Sequence, residues 1–264
     1  MVDNPYAAPR THVEDVAEPP ADGDFLPEGR GVPAGNGWKW IADAWTFMHG
    51  QRMTFLGVFL LMWLVQLALN FVPIVGPIAT TFLFPFLVGG IALGCDAVRR
   101  GEALEVGHLF GGFQRHTNKL LLVGVVSFVL YIIVAVVMIA IIGVTVGTAL
   151  FSGTPPSPEE ILAEGMMLTI LLAVLVVMAL SVPITMAMLF VPTLVVLNDY
   201  EVLPAVRTSF FACLKNVVPF LVWGVAGLVL GILAMIPLLL GWLVLGPVLG
   251  VSLYMSYRDI FYEA

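Results

Sequence analysis

Residues 120–151 form an apolar run of about 32 positions without one acidic or basic side chain. As an α-helix this run is about 48 Å long, against roughly 30 Å for the hydrocarbon core of a bilayer. Inside lipid every backbone N–H and C=O must be paired within the segment, which leaves a helix as the single-segment solution. The run therefore commits the chain to a membrane and predicts a helix that tilts strongly or projects past one surface. Similar runs recur, and their spacing predicts an all-α polytopic protein with six spans at 53–71, 78–98, 120–147, 167–197, 217–236 and 243–257. Composition agrees. Hydrophobic residues make up 60% of the chain, charged residues 11%, and the mean hydropathy is +1.01, far from the half-apolar, quarter-charged balance of soluble domains.

Charge placement predicts orientation. All eleven Lys and Arg fall in the N-terminal tail, the 2–3 connection, the 4–5 connection or the C-terminus. The 1–2, 3–4 and 5–6 connections hold none. The positive-inside bias then puts both termini in the cytoplasm. The net charge of −7 is concentrated in residues 1–36, where seven acids face Arg10 and Arg30. With six prolines and no hydrophobic period, this segment is predicted to be a disordered tail, and residues 37–264 the membrane domain. No cleavable leader pattern precedes the first span, which is expected to act as an uncleaved signal anchor. Within the tail, Asn4-Pro5-Tyr6-Ala7-Ala8-Pro9 resembles an N-terminal signature found on small bacterial membrane proteins, read either as a recognition peptide or as a tolerated end. No basic stripe exists, so nucleic acid is not an expected partner.

Three amphipathic segments, at 38–52, 102–119 and 202–216, each lead into an apolar run that is followed by a returning one. Trp38, Ile41, Trp45 and Met48 share one helical face and predict an interfacial anchor. Val106, Phe110 and Phe113 are expected to do the same in the second segment. Phe47 and Phe211, and Pro73 and Pro237, recur at a spacing of 164, and Pro85 and Pro247 at 162. The pattern predicts three tandem hairpin units, each with its own surface helix. Two spans per unit keep the copies parallel, around an axis along the membrane normal.

Candidate chemistry is sparse. No span holds a charge away from its ends, against the pattern of proton-coupled carriers and pumps. Gln66 and Asn70, one turn apart, are the most polar pair in the spans and are candidates for a substrate contact, an interhelical hydrogen bond or interfacial solvation. Pro183 and Pro192 are predicted to kink the fourth span. His49, His108 and His116 fall on the first two surface segments, where solvated side chains are favoured over a converging metal site. Cys95 and Cys213 are expected as reduced thiols. No catalytic motif, metal set or cofactor loop is present in the sequence, so no enzyme activity and no cofactor is expected. Gly-x-x-x-Gly pairs such as Gly90/Gly94 and Gly246/Gly250 speak to close helix packing.

The stretches Gly37-Trp-Lys-Trp-Ile41, Leu93-Gly-Cys95, His108-Leu-Phe-Gly-Gly-Phe113 and Ser256-Tyr-Arg-Asp-Ile-Phe261 resemble an uncharacterised family of six-span proteobacterial inner-membrane proteins, over about residues 37–261. The layout is similar, more loosely, to the membrane domain that accompanies some glycerophosphodiester phosphodiesterases, whose hydrolase part has no counterpart here. The resemblance implies a bacterial inner-membrane location and no transferable activity. Two functions are expected from the chain: a non-enzymatic scaffold that binds a membrane protein partner or a second copy of itself, or the transport or handling of a lipid or hydrophobic small molecule.

Overall fold

The computed structural model describes residues 23–151 and 164–263, and every regular element among them is helical. The order is α1 (Asn36–Phe47), α2 (Arg52–Asn70), α3 (Val75–Arg99), a 3-10 helix (Val106–Phe113), α4 (Thr117–Phe151), α5 (Glu164–Met188), α6 (Val191–Asn198), α7 (Val202–Lys215), α8 (Val217–Met235) and α9 (Gly241–Phe261). Five segments are long and apolar enough to cross a membrane: α2, α3, the part of α4 over Thr117–Ile141, the α5–α6 stretch Met167–Asn198, and α8. The chain is thus a helical, multi-pass membrane protein. The sixth expected span lies in α9. It has 21 residues, but Ser252, Tyr254, Ser256, Tyr257, Arg258 and Asp259 dilute its apolar character, and many of these groups face protein rather than lipid.

Two reversals share an unusual backbone. After α2 the chain turns at Pro73 and Ile74, with φ +66° at Ile74; after α8 it turns at Pro237 and Leu238, with φ +52° at Leu238. The left-handed region is costly for β-branched Ile. Its use one residue after each proline matches the 164-residue sequence offset in geometry. The fourth run departs from expectation at its second proline. Pro183 stays inside α5, whereas Pro192 sits in the first turn of a new helix, α6, so the run breaks at Leu189–Phe190 instead of bending. Proline lacks the N–H a helix interior needs but costs nothing in a first turn.

The three surface segments pack in a cyclic order. α1 lies on α8 and α9, the 3-10 helix lies on α3, and α7 lies on α5. Glycines permit the closest approaches. A Cβ on Gly37 would sit 2.1 Å from the carbonyl oxygen of Pro219, and one on Gly90 would sit 2.1 Å from that of Leu109. The second segment is not the α-helix expected. In 3-10 geometry positions three apart eclipse, so Leu109 and Gly112 go inward while Phe110 and Phe113 stay on the exposed edge. Val106 is exposed as well. In α1 the buried face is Gly37, Trp40, Ile41 and Ala44, with Met48 following, while Trp38 and Trp45 are exposed. The anchor face predicted there is split, since Ile41 and Met48 belong to the core.

Residues 24–35 overturn part of the predicted disorder. Leu26 N–H donates to the Phe261 carbonyl and Arg30 N–H to the Ile260 carbonyl, at 2.8 and 2.9 Å. Phe25 inserts among Tyr200, Phe261 and Tyr262. The composition argument missed this because the segment adds little core of its own; it borrows partners from α7 and α9. Residues 1–22, with the Asn4-Pro5-Tyr6 signature, lie outside the described residues.

Candidate functional site

The largest fully buried side chains, among them Trp40, Phe55, Phe190, Tyr257 and Phe261, gather at the end of the bundle that carries the surface helices and the C-terminus. Three aspartates organise this collar, each at the terminus of a returning helix. Asp96, near the end of α3, accepts from Arg99 Nη2 at 3.1 Å and from the Tyr254 hydroxyl at 3.2 Å, with Arg100 at 3.6 Å. Asp199 caps α6 in the left-handed region and accepts from Lys119 Nζ at 2.7 Å, with His116 Nδ1 at 3.2 Å. Asp259, in the last turn of α9, accepts from Asn36 Nδ2 at 2.7 Å, Trp40 Nε1 at 2.8 Å and Arg30 Nη2 at 3.1 Å.

A second clasp joins the collar to the N-terminal segment. The side chain of buried Asn216 accepts from Val32 N–H and donates to the carbonyls of Arg30 and Ala212, each at 2.8 Å. At the centre, the Tyr257 hydroxyl donates to Asn198 Oδ1, and Asn198 Nδ2 donates to the Tyr262 hydroxyl. Lys119 Nζ also meets Glu201 at 2.8 Å, and the bond to Lys119 holds the Asp199 carboxyl below its ordinary value. Burial pushes the Cys213 thiol up to about 12, so it stays protonated and unreactive at neutral pH. These groups hydrogen-bond one another across helices and clamp them together.

The opposite feature is a lateral groove of about 610 Å³ between α5 and α8. Its walls are Met178, Val182 and Thr185 from α5 and Phe220, Leu221 and Gly224 from α8, with Leu253 lining it as well. Neighbouring helices pack closely around the bundle, but among the described residues α5 and α8 are not closely packed on each other. Two polar groups at the groove are already paired: Ser181 Oγ donates to the Val177 carbonyl at 2.7 Å, and Trp223 Nε1 to Ser252 Oγ at 2.7 Å. What remains is an apolar slot of the size that takes a drug-sized ligand. No protein-family model, no curated protein and no solved structure matches this chain.

The sequence candidates scatter. Asn70 Nδ2 donates to the Gln66 backbone carbonyl at 2.7 Å, a contact within α2, and neither residue lines the groove. Pro183 lies in the α5 wall between groove residues Val182 and Thr185; Pro192 starts α6 on the collar side. His108 Nδ1 accepts from Glu105 N–H at 3.0 Å as part of a capping box, and His116 meets Asp199. Among the described residues no three His, Cys, Asp or Glu side chains are grouped as a metal site. Cys95 and Cys213 are both buried free thiols. Sequence reasoning missed the Asp259 hub and the groove. The hub left one trace, an aspartate repeated at a spacing of 163 (Asp96 and Asp259), beside the proline pairs.

Proposed function

We propose that this protein is a non-enzymatic, multi-pass inner-membrane protein that holds a lipid or hydrophobic small molecule side-on in the α5–α8 groove. The observation that carries the reading is the groove itself: about 610 Å³, walled by apolar side chains, where among the described residues α5 and α8 are not closely packed on each other. A molecule entering there comes from the bilayer, so no charged side chain at midplane is required. The tightly packed collar argues against a path through the bundle, and the reading is one of retention or presentation, not conduction. The accompanying topology is six spans in three hairpin units, α9 being the sixth, with the collar and both termini in the cytoplasm. The cyclic packing of the three surface segments on α9, α3 and α5 supports that three-fold plan.

The test is native mass spectrometry of protein released from native nanodiscs, comparing wild type with Gly224→Trp. A Cβ added at Gly224, which lines the groove, would meet nothing within 4 Å, so a bulky side chain there starts into open space and takes up room in the slot. Wild type is expected to carry one apolar molecule at fixed stoichiometry and the variant to lose it. An empty wild type, or equal retention by both, sinks the reading. A second reading, a scaffold for a membrane partner, is favoured by the outward faces of α4 and α5, where Val136, Ile139, Met178 and Val182 are exposed. Capture of a second chain in place of a small molecule supports it.

A further inference from the structure

A second cavity, of about 830 Å³, lies on the outer face of α7, with Pro27 and Glu28 of the N-terminal segment as its opposite wall. Two cations line it. Lys215 Nζ is held by the carbonyls of Glu28 and Gly29 at 3.0 and 3.2 Å, and the Arg207 guanidinium lies 5.8 Å from the centre of the Phe211 ring. Neither has a carboxylate partner among the ion pairs of the described residues, whereas Arg30, Arg100 and Lys119 each meet one. The carbonyls fix Lys215 in place but leave its charge unbalanced. Glu28 is the one acid in the lining, so the cavity keeps a net positive charge.

The same helix presents apolar surface beside these cations. Leu203, Phe211 and Leu214 are exposed. Water rewards no such arrangement, but a membrane surface does: apolar side chains enter the acyl boundary while Arg and Lys reach the headgroup phosphates. Thr208 and Tyr200 add hydroxyls to the wall. Burial raises the Tyr200 phenol above its ordinary value, so it remains a neutral donor.

We propose that this cavity is a binding site for the phosphate headgroup of an anionic phospholipid, with Arg207 and Lys215 as its cationic contacts. The site rests on the membrane topology above and is independent of the α5–α8 groove. It is tested in nanodiscs of defined phosphatidylglycerol and phosphatidylcholine content, by counting lipids that stay bound on release. Wild type is expected to retain the anionic lipid roughly tenfold better than the zwitterionic one. Arg207→Gln/Lys215→Gln should erase that preference, and the control Lys39→Gln/Arg115→Gln should leave it intact. Because Lys215 also holds the N-terminal segment, Arg207→Gln alone is measured too and should lower the preference severalfold with unchanged melting. Retained preference in Arg207→Gln and the double variant, or equal loss in the control, overturns the site. Displacement of the lipid by inorganic phosphate alone also overturns it, by marking the cavity as a free-anion site. Failure to enter nanodiscs at all would count against the topology and is visible before any lipid is counted.

Discussion

The two ends of this bundle are built by different physics. At the collar, α3 has 44% of its span buried, and Asp96, Asp199, Asp259 and Asn216 tie the helices by named hydrogen bonds. Away from it, an 18-residue apolar stretch of the α5–α6 span is 6% buried and one of α8 11%, so most of their side chains face outward from the bundle. Lipid tails are as apolar as leucine, so no hydrophobic force pulls bare spans together; packing and polar contacts must do it. The collar supplies those contacts, and the rest of the bundle inherits its arrangement from there. The largest effect that tests this contrast is loss of the hub. Asp259→Ala removes the acceptor shared by Arg30, Asn36 and Trp40 and should cost about 3 kcal/mol, read as a lowered thermal midpoint in detergent. A midpoint unchanged from wild type would show that the N-terminal segment and α1 do not depend on Asp259.

Steric closeness offers the next test. Gly90→Ala drives a methyl group against the Leu109 backbone carbonyl, where α3 and the 3-10 helix meet. Backbone cannot yield as a side-chain tip does, and overpacking of this kind costs about 1–3 kcal/mol. Gly57→Ala, with open space around it, is the matched control and should be neutral or slightly stabilising, since alanine favours helix. Equal losses at both positions would mean that the 3-10 helix does not sit where Gly90 allows it.

A smaller, pH-dependent effect belongs to the link from α4 to the α6–α7 turn. Asp199 titrates below its ordinary 3.8, so its contribution is present above that value and fades as pH falls through the lowered one. Lys119 supplies the opposing charge, with Nζ 2.7 Å from Asp199 Oδ1. Both groups are solvent-accessible and screened, and the effect is correspondingly modest. The melting difference between wild type and Lys119→Met should be flat over roughly pH 5–9 and shrink in stronger acid. A difference that keeps its size in acid would remove Asp199 as the partner.

These contrasts also mark what the sequence made legible. Long uncharged runs predicted the helices, because lipid imposes length and apolarity on any span, and Pro73 and Pro237 each precede a residue with positive φ at a reversal. Tail composition misled for residues 24–35, whose order comes from partners more than 180 positions away, such as Asn216 and Asp259. In the second surface segment Val106, Phe110 and Phe113 are exposed as their common face implied, but the helix type differs, being 3-10 over Val106–Phe113. The groove had no sequence trace at all. It is a missing contact between α5 and α8, and each helix by itself reads as an ordinary span.

The smallest expected effect lies on the lipid-facing side of that same α8. Leu228 is 65% exposed there, while Leu194 in the collar core is fully buried. Leu194→Ala opens a cavity among packed neighbours and should cost about 2–5 kcal/mol. Leu228→Ala exchanges one lipid contact for another, and alanine is the best helix former, so the change should stay within about 0.5 kcal/mol. Measured together in lipid and not in detergent, the pair separates two meanings of exposure. If Leu228→Ala is silent, the outer face of α8 is a lipid boundary, and the neighbouring groove opens to the bilayer as a ligand-holding slot requires. If it costs as much as Leu194→Ala, another protein or a second copy covers that face, and the scaffold reading takes precedence over the ligand-holding one.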